Sequence, residues 1–224
     1  MQLKKGFLVA FEGIDGAGKT TQAHLLHKEL KRKEYDVILS KEPTDSIYGL
    51  RIKKLAQSER AFTKPIDEYE LFLNDRKIHV KDKIKPSLEQ KKIVILDRYY
   101  FSTIAYQGAL GLNPQKIKDD NESFAPIPEI VFLIDVPPRV GLRRVQKGRN
   151  EVPNLFEREE NLIKVREVFE SMKEHYIARI NGLEGIEKIH AIIMNVVEPI
   201  LDHYVKKTEQ YTLFNANRLI ENNT

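Results

Sequence analysis

A three-layer α/β sandwich, with a five-stranded parallel sheet between helices, is the architecture predicted for this 224-residue chain. Three observations predict it. Short apolar runs alternate with longer segments of helical period, as in a βαβ series whose strands are buried on both faces. A glycine-rich turn separates the first apolar run from the first helical segment. The chain is also long enough for one sizeable core and too short for two full enzymatic domains.

The first strand, at 7–12, is a run of apolar residues closed by Glu12, and a helix is expected at 19–33. A short second strand at 37–39 precedes helices at 47–57 and 66–88. The third strand, at 93–97, is apolar up to Asp97, and a helix runs from 100 to about 108. The fourth strand lies at 130–135, followed by a helix at 140–145. A helix at 161–174 places Leu162, Val165, Val168 and Phe169 on one stripe, and the fifth strand follows at 176–180. Residues 185–190 look like a glycine-bounded strand, but Ile186, Ile189, Ile193, Val196, Val197, Ile200 and Tyr204 recur at helical spacing. A helix is therefore assigned to about 186–205, with a kink or break expected at Pro199. Residues 1–206 read as a single domain and 207–224 as a surface appendage.

Composition removes several function classes. The absence of cysteine excludes a disulfide scaffold, a zinc ribbon, an iron–sulfur site and thiol catalysis. Lys and Arg number 37 against 33 Asp and Glu, a net charge of +4 that suits a polyanionic ligand such as a nucleotide and falls short of a duplex-DNA footprint. Aromatic residues do not interleave with the basic clusters, so a nucleic-acid-binding module is the weakest reading. The apolar run at 7–11 ends at Glu12, too short for a signal peptide or a membrane span, and the expected location is the cytoplasm.

Gly13-Ile14-Asp15-Gly16-Ala17-Gly18-Lys19-Thr20 matches the phosphate-loop pattern G-x-x-x-x-G-K-[ST], between a strand and a helix as the mechanism requires. Its glycines let successive N–H groups face phosphate oxygens, and the helix beginning there adds its positive dipole end. Lys19 reaches the β and γ phosphates, and Thr20 offers a hydroxyl to Mg²⁺. The phosphate-binding set is Gly13, Asp15, Gly16, Ala17, Gly18, Lys19, Thr20 and Thr21. No Asn-Lys dipeptide is present to read guanine, and a motor would show a longer chain with coupled modules. Phosphoryl transfer between small molecules on a P-loop NTPase-type fold fits best.

The third strand ends in Asp97-Arg98, at its carboxyl end, where open α/β sheets present ligand-binding groups. Asp97 is placed to hold Mg²⁺ through water and Arg98 to clamp a phosphate bidentately.

These residues carry a resemblance to the thymidylate kinase family. The run from Asp97 through Tyr99, Tyr100, Phe101, Ser102, Thr103, Ile104, Ala105 and Tyr106 to Gln107 resembles that family's signature. Phe11-Glu12 leading into the phosphate loop, Glu42-Pro43-Thr44 and Leu71-Phe72-Leu73-Asn74-Asp75-Arg76 match it in order and spacing, and coverage runs from about 7 to 201. The resemblance implies transfer of the ATP γ-phosphoryl group to dTMP with Mg²⁺, in a homodimer. It implies that Phe72 stacks on thymine, Arg76 bonds a base carbonyl and Thr103 contacts the pyrimidine edge. Tyr106, supported by Gln107, would crowd the sugar 2′ position, Asp15 would bind the 3′-hydroxyl and Arg98 would hold the acceptor phosphate. Glu42, Pro43, Ser102 and Arg51 complete the expected substrate set. Lys41 stands where many members carry arginine.

Arg139, Arg143, Arg144, Lys147 and Arg149 suit a mobile basic lid at about 143–157, framed by Gly148 and Pro153, with Glu157 resembling the family's lid-end acid. Phosphoryl transfer needs cations over the migrating group. The phosphate loop has Gly16 and Ala17 where some members place an arginine, so the lid is expected to supply the catalytic cation. Arg144 and Arg149 come first, then Arg143 and Lys147. No general base is expected, because the acceptor phosphate is already ionised. The alternatives are a kinase for another pyrimidine nucleotide or deoxynucleoside, and a nucleotide-binding regulator without turnover.

Overall fold

The apolar runs pair as strands. The computed structural model describes residues 1–56, 64–149 and 159–205, with 148 and 149 described in their backbone alone. Strands β1 (Phe7–Glu12), β2 (Val37–Lys41), β3 (Ile93–Asp97), β4 (Ile130–Asp135) and β5 (Ile177–Asn181) lie in the order β2-β3-β1-β4-β5. Every neighbouring pair is parallel. All residues of β1 and β3 are buried, as expected of strands covered on both faces. The chain leaves β1 toward β2 on one side and crosses from β3 to β4 on the other. The crevice outside the carboxyl ends at such a reversal is where open α/β sheets bind ligands. Register makes that rim level: Phe11 pairs with Asp97 on one side and Phe132 on the other, and Lys41 pairs with Asp97.

The helices are α1 (Lys19–Arg32), α2 (Ile47–Ala56), α3 (Pro65–His79), α4 (Lys85–Glu89), α5 (Tyr100–Ala109), α6 (Pro114–Glu122), α7 (Pro138–Arg149), α8 (Glu159–Ser171) and α9 (Ile186–Tyr204). Against the sheet, α1 buries Ala23, Leu26 and Leu30, while α9 buries Ile189, Ile193, Val197 and Leu201. This three- and four-residue spacing is what distinguished α9 from a strand.

Five expectations need correction. Residues 66–88 are not one α-helix. A π-helical turn at Val80–Ile84 separates α3 from α4, with the Lys85 N–H bonded to the Val80 carbonyl. Pro86 has no N–H, so the ladder loosens by one residue immediately before it. The expected break at Pro199 is absent, since α9 runs through it to Tyr204. Strand β2 extends two residues beyond 39, and β5 starts one residue after 176. Helix α6 was not anticipated. Only Ile117 and Asn121 are buried on it, so it carries no apolar stripe; Pro114 at its start and the Asn113 side chain, which accepts from the Lys116 N–H at 3.1 Å, begin it.

Candidate active site

Beyond the carboxyl rim lies a cleft of about 930 Å³, lined from the phosphate loop through β3 and α5 to α3 on one side, and to α7 and the start of α9 on the other. The loop wraps close to its neighbour. A Cβ on Gly16 would sit 2.1 Å from the Gly141 carbonyl oxygen, and one on Gly141 would sit 2.4 Å from that of Asp15. Gly16 also has φ +77°, so glycine is required at this contact for both reasons. Gly18, with φ +104°, then turns the chain into α1.

Lys19 is 5% exposed, and its Nζ donates to the Ile14 carbonyl at 2.7 Å. Burial and the nearby Arg98 charge lower its pKa to about 8, against the pull of Asp15, Asp97 and Glu12. Thr20 Oγ1 donates to Asp97 Oδ2 at 2.5 Å, and Lys41 Nζ lies 3.2 Å from the same oxygen. Burial opposes ionisation of Asp97, but Lys41, Lys19 and Thr20 hold it below the usual carboxylate range.

Arg98 follows β3 with φ +73°, a conformation uncommon outside glycine, fixed by its N–H donating to the Phe11 carbonyl at 3.0 Å. Glu12 supports the turn from below. Its carboxylate accepts from the Tyr99 N–H at 2.7 Å and the Ser102 hydroxyl at 2.5 Å, taking the place of an N-cap for α5. Burial pushes Glu12 up to about 7, with Ser102 and Arg98 pulling the other way. The Arg98 guanidinium donates to Ser102 Oγ at 3.0 Å and pairs with Asp15, which also accepts from the Tyr106 hydroxyl at 3.1 Å. Burial and the Asp15 charge raise the Tyr106 pKa, so its hydroxyl stays a neutral donor.

The far wall is built where α3 meets α5. Buried Arg76 donates through Nε to Glu42 Oε2 at 2.8 Å, through NH1 to Asn121 Oδ1 at 2.6 Å and through NH2 to Thr103 Oγ1 at 3.0 Å. Glu42 Oε1 pairs with His79 Nδ1 at 2.9 Å, and His79 Nε2 meets Ser40 Oγ at 2.8 Å. Burial would raise the Glu42 pKa, yet Arg76 and His79 hold it down, so the carboxylate is ionised.

Glu68 has no such partners. It is 2% exposed and lines the cleft, and burial pushes its pKa up to about 7, partly offset by the Gln107 amide. Because the folded pKa lies above the free value of 4.5, the fold binds more protons than the unfolded chain between those pH values, and stability falls as pH rises from 4.5 through 7. Glu68→Gln removes that ionisation. Thermal melts should show the variant more stable than the parent by roughly 3 kcal/mol at pH 8 and no more stable below pH ~4.5. A pH-independent difference would contradict the burial of an ionisable group there.

The structure brings most expected residues to one cleft. Asp15, Gly16, Ala17, Gly18, Lys19, Thr20, Thr21, Glu42, Pro43, Phe72, Asp97, Arg98, Ser102, Thr103, Tyr106, Gln107 and Arg144 line it. Gly13 is buried behind the loop, and Arg51 is exposed on α2 outside the lining. Arg76, expected at a base carbonyl, stands behind the wall and reaches the cleft through Thr103. Arg143, Arg144 and Lys147 are all exposed, but Arg144 also lines the cleft and donates to the Gly182 carbonyl at 3.0 Å and the Gly16 carbonyl at 3.4 Å. The Arg149 side chain and Glu157 lie outside the described residues. Sequence reasoning assigned no role to Glu12, Glu68, Lys41, Gln22 or Gly141. Buried charge ending an apolar strand was the available signal for Glu12.

A family model described as thymidylate kinase matches residues 11–193, which spans both the phosphate loop and the wall built by α3 and α5. The chain belongs to the thymidylate kinase family. It is 43% identical over 201 residues to the thymidylate kinase of Desulfotalea psychrophila, covering 90% of this chain and 98% of the relative. A probable thymidylate kinase of Archaeoglobus fulgidus is 40% identical over 195 residues, covering 87% and 96%. The crystal structure of thymidylate kinase from Ehrlichia chaffeensis superposes with a TM-score of 0.64 at 31% identity, covering 86% of this chain and 98% of that one. The five-stranded parallel sheet flanked by helices is thus the architecture of the thymidylate kinases, of the P-loop NTPase type. Among the described residues no helix is long and apolar enough to cross a membrane.

Proposed function

We propose that the cleft performs its family's reaction with Lys19 on the donor phosphates and Arg98 on the acceptor phosphate. The chain transfers the γ-phosphoryl group of ATP to dTMP, giving dTDP and ADP. A dTMP phosphate oxygen forms the new bond to the γ-phosphorus, and the bond to the β,γ-bridging oxygen breaks with its electron pair left on ADP. The attacking oxygen is already ionised, so no base is required of the protein. The observation that carries this reading is that Lys19 and Arg98 line one cleft together with Phe72, Thr103 and Tyr106.

Lys19 sits where the γ-phosphoryl charge redistributes, and the glycine turn offers backbone N–H groups to the phosphates. Arg98, its head held by Asp15 and Ser102, presents a fork to the acceptor phosphate. Phe72 stacks on thymine, Thr103 meets the base edge with Arg76 behind it, and Tyr106 fills the space a 2′-hydroxyl would need. Asp15 takes the 3′-hydroxyl. Thr20 and Asp97 fit Mg²⁺: both offer hard oxygens, and buried Asp97 Oδ1 has no hydrogen-bond partner among the described residues. The ion, when bound, neutralises charge on the β and γ phosphates.

The same reading makes residues 1–206 one nucleoside monophosphate kinase domain and 207–224 an appendage, in a cytoplasmic homodimer. The lid at about 143–157 supplies a catalytic cation from Arg144, Arg149 or Arg143. Arg144 is supported by its position over Gly16.

A coupled assay of ADP release, with ATP–Mg²⁺ against dTMP, dUMP, dCMP, UMP, AMP and thymidine, tests the assignment. Preference for dTMP, with UMP and thymidine refused, is expected. Phosphorylation of thymidine in place of dTMP would remove Arg98 from the acceptor phosphate, and ATP binding without any acceptor used would overturn the reading.

A further inference from the structure

Helices α3 and α5 face each other across two polar rungs. The first joins Arg76 to Thr103 and is closed, its guanidinium held as well by Glu42 and Asn121. The second brings Glu68, two turns before Arg76, beside Gln107, one turn after Thr103. Glu68 is 2% and Gln107 1% exposed, and both line the cleft on the side of Phe72. Yet Glu68 Oε1 and both amide atoms of Gln107 have no hydrogen-bond partner among the described residues. Buried polar groups are ordinarily paired; here the Glu68 carboxylate and Gln107 Nε2 are adjacent and can satisfy one another, which leaves Gln107 Oε1 as the atom a ligand would complete.

The chemistry of the rung is asymmetric. An amide presents a donor on one arm and an acceptor on the other, and turning it over exchanges them. An ionised carboxylate only accepts. Placed beside Gln107 it draws Nε2 toward itself and leaves Oε1 for the cleft. Oε1 then suits a ring N–H, as thymine and uracil carry at N3, and opposes the bare ring nitrogen of cytosine. We infer that Glu68 is a positioning residue that sets the orientation of the Gln107 amide and thereby selects pyrimidines with a ring N–H. This rests on the proposed assignment of Phe72 and Thr103 to the base pocket, and it extends Gln107, first read as a support for Tyr106 beside the sugar, to that pocket.

Glu68→Gln is nearly isosteric but can donate as well as accept, so it releases the orientation while keeping the wall filled. Dissociation constants for dTMP, dUMP and dCMP, measured by calorimetry on the full chain at pH 8.5, decide the matter. The preference for dTMP over dCMP should narrow about tenfold in the variant, while that for dTMP over dUMP, which differ only by a methyl group, should change by less than about twofold. With ATP, the change should appear in KM for dTMP more than in kcat. An unchanged dTMP-to-dCMP ratio, or both ratios falling together as general damage to the pocket would cause, overturns the inference. Should Glu68→Gln fail to fold, Glu68→Asp and Glu68→Asn repeat the comparison: Asp should keep the parent's discrimination and Asn should lose it. A parent chain with no preference for dTMP over dCMP would instead overturn the base-pocket assignment itself.

Discussion

Lys19→Met lowers kcat by about a thousandfold while KM for ATP changes by only a few-fold. The reason is local charge. The phosphate loop holds no arginine, and Lys19 is anchored to the Ile14 carbonyl at 2.7 Å with little freedom to be replaced by a neighbour. On the proposed mechanism its ammonium meets the charge that shifts from the γ-phosphoryl group to ADP, an interaction stronger in the transition state than in the bound ground state. Lys19→Arg should not rescue, because a planar fork cannot reproduce the point charge that a buried ammonium, anchored on the Ile14 carbonyl, presents. Folding damage is separated by a second signature. The folded pKa of about 8 lies below the free value of 10.5, so below pH 8 the fold carries the full cost of a buried ammonium, relieved as pH rises from 8 toward 10.5. Lys19→Met therefore melts at a higher temperature than the parent at pH 7, and the gain shrinks over that pH interval. Single-turnover rates and thermal melts check both, and a loss of less than about tenfold in rate would remove Lys19 from the chemical step.

Arg98→Ala reduces kcat/KM for dTMP by about a thousandfold, with KM for dTMP rising and KM for ATP nearly constant. Arg98→Lys recovers little, since one ammonium cannot hold Asp15 and Ser102 while also meeting two phosphate oxygens. Thymidine separates a lost phosphate contact from a collapsed pocket. It lacks the phosphate, so its affinity should stay within about threefold of the parent's in Arg98→Ala. An equal loss for thymidine and dTMP would mean that Arg98 acts by holding Asp15 and Tyr106 in place. Arg98 itself is fixed from two directions, by the Phe11 carbonyl on its N–H and by Glu12 beneath the start of α5.

The same two helices that frame the acceptor show how far the sequence could be read. The four-residue spacing of Phe72 and Arg76 puts both on one face of α3, and the signature at 97–107 supplies Thr103, Tyr106 and Gln107. What lay behind them was hidden. Arg76 meets Asn121 on α6, a helix whose polar face gave no periodic signal, and Glu42 from the end of β2. Its head is occupied by partners 34 and 45 residues away. Likewise, Arg143 and Arg144 are indistinguishable by composition, and the packing of Gly141 on Gly16 turns Arg144 to the cleft and Arg143 to solvent.

By itself, then, the sequence determined the strands, the phosphate loop and the carboxylate and guanidinium at the end of β3. Those depend on neighbours: apolar runs long enough to be buried, glycines where φ turns positive, and a cation and carboxylate adjacent to a strand end. The tertiary structure alone decided which charged groups close on one another, as Arg76 does on Glu42, and which stay open toward the cleft, as Glu68 and Gln107 do. Pairing across tens of residues is set by sheet register and helix packing, and whether a buried polar group finds its partner is a property of that packing rather than of the residue or its neighbours in the chain.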